Sequence, residues 1–164
     1  MNSIASKSSF ILDNESWRIQ YREILEKYQT GQMPFALEKT LRVADEFPFS
    51  PDSWRTLGFV SQYLNLGEAA VAAFRQAVAL GGDDPVDHSN RALALQGQWQ
   101  VAEAILSLKR VTELDPSNAD AQYNLGVLLK ESGRIQEAIA AYRRALNLSP
   151  EVAEAFNNLG ILLC

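Results

Sequence analysis

A chain of 164 residues, 47% of them apolar, is long enough for one domain and apolar enough for a packed core. A formal net charge of −5 and a pI of about 4.9 argue against nucleic acid as a partner, which needs a basic patch or stripe. The single cysteine, Cys164, excludes a disulfide framework, and no apolar run approaches the ~18 residues of a membrane span.

Residues 1–16 are rich in Ser and Asn, lack helical periodicity and read as a flexible N-terminal arm. Their apolar run, Phe10–Leu12, is too short for a signal-peptide core, so the expected location is cytoplasmic. From residue 17 the apolar residues recur at helical spacing. Trp17, Tyr21, Ile24, Leu25 and Tyr28 make one stripe, Gly31 stops it, and Pro34 suits the first turn of a second helix. That second stripe runs from Ala36 to Phe47 and ends at Pro48.

The next helix pair occupies 51–84, opened at Pro51 or Ser50, with Asp52 or Ser53 helping to cap it. Its stop glycine, Gly67, comes late, which predicts a longer first helix or a shifted turn. The pair closes on Gly81-Gly82-Asp83-Asp84, where others carry proline, and a looser junction is expected. In 85–118 the glycine, Gly97, comes early, which predicts a short first helix and an early second one. Residues 119–152 are the most regular: Gly133 separates a stripe through Leu125 and Leu129 from one through Ala138, Tyr142 and Ala145, and Pro150 ends it. Residues 153–164 match only the first half of that unit. Phe156, Leu159, Leu162 and Leu163 are left without a second helix to cover them. Either the chain is part of a longer array, or these four residues form a surface for homo-oligomer assembly.

The units superimpose at a shift of 34 residues. Ala36, Ala70, Ala104 and Ala138 share one phase; Thr40, Phe74, Leu108 and Tyr142 share another. Gly58, Ala92, Gly126 and Gly160 share a third, where a small residue marks a close approach of two helices. Helices this short are marginal alone and need stacked neighbours. The predicted fold is all-α, an α-α superhelix of about four helix-turn-helix repeats (17–50, 51–84, 85–118, 119–152) and a terminal half repeat (153–164), one domain over 17–164.

Trp54, Leu57, Gly58, Ala70, Phe74 and Ala77, and again Leu125, Gly126, Ala138, Tyr142, Ala145 and Pro150, resemble the tetratricopeptide (TPR) signature. The resemblance covers about 17–164 and implies a TPR solenoid that binds an extended or helical peptide of a protein partner in its concave groove.

No catalytic, metal or cofactor site is expected. His88 has Asp83, Asp84 and Asp87 nearby, but at a junction these suit turn geometry and capping. Gly81-Gly82 lacks the Lys-Ser/Thr of a phosphate loop. Glu68, Glu103 and Glu137 open helices, where the helix dipole favours negative charge. One constellation stands out. Asn90, Asn124 and Asn158 recur at the 34-residue interval, and helix propensity does not ask for asparagine there. A row of amides offers donors and acceptors to the backbone of an extended peptide. Arg55, Phe59, Leu93, Tyr123 and Val127 share its face, while Thr56 and Arg22 interrupt it. The row resembles the asparagine ladder in the TPR arm of O-linked N-acetylglucosamine transferases. That resemblance implies an alternative role, the N-terminal arm of a larger glycosyltransferase that presents protein substrates.

Overall fold

The structure, a computed structural model, describes residues 19–20, 22–24, 26–27, 29–151 and 153–163. The expected N-terminal arm and Trp17, Tyr21, Leu25, Tyr28 and Cys164 lie outside the described residues. Among the described residues the fold is all-α. A helical segment within 19–29 precedes α1 (Met33–Glu46), α2 (Pro51–Tyr63), α3 (Gly67–Gly81) and α4 (Pro85–Gly97). Then follow α5 (Val101–Leu114), α6 (Ala119–Glu131), α7 (Ile135–Leu148) and α8 (Ala153–Leu163). The chain divides into two compact units, one through Gly81 and one from Gly82. The break falls where glycines replace the proline of other junctions, and Gly82 is left-handed at φ +74°.

The turn inside each pair has one geometry, whatever residue occupies it. Gly31, Asn65, Trp99 and Gly133 stand at the same phase with φ of 73°, 58°, 59° and 73°. The amide three residues past each helix end reaches five residues back: Gln32 to Lys27, Leu66 to Ser61, Gln100 to Leu95 and Arg134 to Leu129, at 2.8–3.0 Å. This is the Schellman closure of a helix C-terminus. It corrects two expectations. The second pair has neither a longer first helix nor a shifted turn: α2 has 13 residues, Asn65 supplies the left-handed residue, and Gly67 begins α3. The third pair is not shortened: α4 also has 13 residues, Gly97 is its last, and Trp99 takes the left-handed position. Tertiary packing fixes where the turn falls, and the residue found there conforms.

Capping differs from expectation in one place. Ser50, not Asp52 or Ser53, is the N-cap of α2. Asp52 pairs with Arg55, and the Ser53 hydroxyl donates to the Phe47 carbonyl at 3.2 Å. Asp84 caps α4 by accepting from the Val86 amide, and Asn118 caps α6 by accepting from the Ala121 amide, both at 2.8 Å.

The core follows the repeat phases. Ala36, Ala70, Ala104 and Ala138 are buried, as are Val43, Ala77, Val111 and Ala145 one to two turns on. Gly58 lies beneath the Phe74 ring and Gly126 beneath the Tyr142 ring, with no room for a β-carbon. Gly160, on α8, has open space around it.

Candidate functional site

In the first unit, α2 carries Arg55 and Phe59 one turn apart. Phe59 is 48% exposed, and its ring meets Phe74 edge-on with centroids 5.3 Å apart. Arg55 is half-buried and pairs with Asp52. Thr56 is buried where the later repeats carry asparagine, and its hydroxyl donates to the Asp52 carbonyl of its own helix at 2.8 Å.

In the second unit, α6 exposes Asn124 between the half-buried Tyr123 and Val127. Asn158 on α8 joins this face. Its Oδ1 accepts from Lys130 Nζ at 3.0 Å, and its Nδ2 donates to the Tyr123 hydroxyl over a long 3.5 Å. The Tyr123 ring in turn lies 5.9 Å from that of Tyr142. Burial, followed by the Tyr123 and Glu131 charges, pushes the Tyr142 hydroxyl up to about 12. On α4, Leu93 is 56% exposed and Asn90 is half-buried, with its Nδ2 buried and without an acceptor among the described residues.

The three asparagines therefore share a phase but not an environment. Asn124 is open to solvent, Asn158 is held by Lys130 and Tyr123, and Asn90 is drawn partly inward. Lys130 is a cation that links α6 to α8. The 28-residue separation of Lys130 and Asn158 gives no helical signal, because the contact crosses between repeats. On α8, Phe156 and Leu163 are each 58% exposed, while Leu159 and Leu162 are half-buried.

The acidic residues near His88 have structural partners. Asp83 accepts from the Arg110 Nε at 3.2 Å and from its Nη2, and lies 3.3 Å from His88 Nε2. The Arg110 hydrogen bond holds the Asp83 carboxyl below its ordinary value. Glu137 accepts two hydrogen bonds from Arg134 at 2.7 Å and is likewise lowered, with Lys109 adding to the effect. Among the described residues, no group of three or more His, Cys, Asp and Glu is placed to hold a metal. Nor is any helix there long and apolar enough to cross a membrane.

Antiparallel helix pairs on a 34-residue period, with a polar and aromatic face left uncovered, define a helical-repeat protein of the solenoid class. Residues 89–163 carry tetratricopeptide repeats: the profile described as tetratricopeptide repeat matches residues 89–153 and 129–163. Solved structures share the fold over most of its length. MamA from Desulfovibrio magneticus RS-1 is 20% identical with a TM-score of 0.80, over 89% of this chain and 82% of that one. YrrB, described as a TPR protein with an unusual peptide-binding site, is 19% identical with a TM-score of 0.75, over 85% and 72%. The first TPR of Spaghetti (RPAP3), bound to the HSP90 peptide SRMEEVD, is 22% identical with a TM-score of 0.64, over 69% and 90%. A search of curated proteins gives no match.

Proposed function

We propose that this chain is a protein-interaction scaffold that binds an extended peptide segment of a partner along the face formed by Tyr123, Asn124, Val127 and Asn158. The observation that carries this reading is the solvent-exposed amide of Asn124, set beside the Lys130–Asn158–Tyr123 network. An amide both donates and accepts, so it can bond a peptide backbone in either sense. Lys130 and Tyr123 hold the Asn158 amide in place, so less side-chain freedom is lost on binding. Leu93 offers exposed apolar surface at the corresponding position of α4. Two proteins of similar fold are described with peptides or a peptide-binding site, which agrees with this role. The role requires binding alone and no chemistry.

The test is selection of peptides against the intact chain from a displayed random library, followed by calorimetry. Replacing Asn124 and Asn158 together by Ala removes two hydrogen-bonding side chains at ~0.5–1.5 kcal/mol each. The expected loss of affinity is about tenfold or more, with the helical circular dichroism unchanged. Equal affinity of the folded variant for the selected peptides would overturn the assignment.

A further inference from the structure

Trp54 shows what fills the space between successive repeats in the first unit. Its ring packs with Ala44, Leu57 and Ala73, and its indole N–H donates to the Pro48 carbonyl at 2.9 Å. Two repeats further on, the same positions hold Gln122 for the tryptophan, Thr112, Leu125 and Ala141 for its neighbours, and Pro116 for the acceptor. All five line an open cavity of about 660 Å³ between α5, α6 and α7. The ring is missing, and the walls that would hold it remain. Gln122 does not substitute for it: the side chain is 5% exposed, and its Oε1 is buried without a donor among the described residues.

This trough is separate from the peptide face. At about 100° per residue, Gln122, Leu125 and Leu129 fall on the side of α6 opposite Tyr123, Asn124 and Val127. We propose that the trough is a second docking site, which takes a tryptophan side chain presented by a segment of a partner protein. The internal template specifies the occupant. An indole seated like Trp54 would lie among Thr112, Leu125 and Ala141 and direct its N–H at the Pro116 carbonyl. The cavity lies within the ~300–1,000 Å³ range of ligand pockets, larger than one ring, and has room for residues flanking the tryptophan.

The experiment is a two-dimensional amide NMR titration of the intact chain with N-acetyl-tryptophanamide, with N-acetyl-alaninamide as the control. Saturable shifts of Thr112, Leu125 and Ala141 with the tryptophan probe alone are expected. They should be lost in Gln122→Trp, which supplies the ring from within, and kept in Asn124→Ala. Ala141→Leu, which narrows the same space from α7, should weaken binding at least tenfold and serves if Gln122→Trp fails to fold. No saturable shift in the unaltered chain, or shifts that persist in both folded variants, would overturn the proposal. So would shifts at these residues that arise on concentrating the chain alone and vanish in Trp99→Ala, because the occupant would then be a second copy.

Discussion

A β-carbon added to Gly126 would sit 2.7 Å from the Cδ1 and Cε1 atoms of Tyr142. Gly58 and Phe74 have the same relationship, at 2.6–2.7 Å. The corresponding residues of the other pairs are Ala92 with Leu108 and Ile24 with Thr40, all buried. As the first member grows from glycine to alanine to isoleucine, the second shrinks from an aromatic ring to leucine to threonine. The summed volume is roughly conserved, as close packing requires. Gly126→Ala is expected to cost ~1–3 kcal/mol through overpacking, read as a lower urea midpoint. Adding Tyr142→Leu, which recreates the Ala92–Leu108 pair, should recover part of that loss. Purely additive effects in the double-mutant cycle would refute the pairing. Gly160→Ala meets nothing within 4 Å among the described residues and should stabilise α8 slightly.

Tyr142 also predicts an alkaline response. Its hydroxyl is buried without a partner among the described residues, and burial raises its pKa from 10.0 to about 12. The unfolded chain therefore loses this proton first, and the stability that depends on the neutral hydroxyl declines as pH rises from about 10 to about 12. Tyr142→Phe removes an unsatisfied hydroxyl, so it should leave stability at pH 7 unchanged or higher and flatten the loss over that window. Thermal melts of both proteins on either side of, and through, that window provide the comparison.

Trp99 holds φ +59° with its side chain 88% exposed. The left-handed conformation costs an L-residue with a β-carbon ~1–2 kcal/mol, and so exposed a ring recovers little by packing. Trp99→Gly should raise the urea midpoint by the equivalent of ~1 kcal/mol. A decrease would show that the indole contributes packing within the fold.

Acid should loosen the second unit. The Asp83 and Glu137 carboxyls sit below their ordinary values of 3.8 and 4.5, chiefly through Arg110 and Arg134 respectively. A carboxylate lowered by folding contributes stability above its unfolded pKa and loses it as pH falls through the folded value. Their contribution should be complete above about pH 5 and shrink below about pH 4. Asp83→Asn should lessen the dependence of the urea midpoint on pH in that range. High salt should lower the midpoint of the unaltered chain modestly, because these pairs are exposed.

Much of the fold was legible because a helical repeat writes its packing into sequence at a fixed spacing. Ala36, Ala70, Ala104 and Ala138 share one phase of the period, and all four are buried. The turns were harder. Gly67 and Gly97 drew attention as stops, whereas Asn65 and Trp99 take the left-handed conformation. Glycine permits positive φ but does not impose it; closure of the helix pair does. The asparagine row was visible, but its differing environments were not, since Lys130 reaches Asn158 across 28 residues.

The sequence by itself determined the period, the all-α class, the buried phases and the face that carries Tyr123, Asn124 and Asn158. These properties are local or strictly periodic, so spacing encodes them. Only the tertiary structure decided which asparagine stays open, where each turn falls, and that Gln122 leaves a trough where Trp54 fills one. Those outcomes depend on contacts between side chains from different repeats, whose shapes and hydrogen bonds no single spacing records.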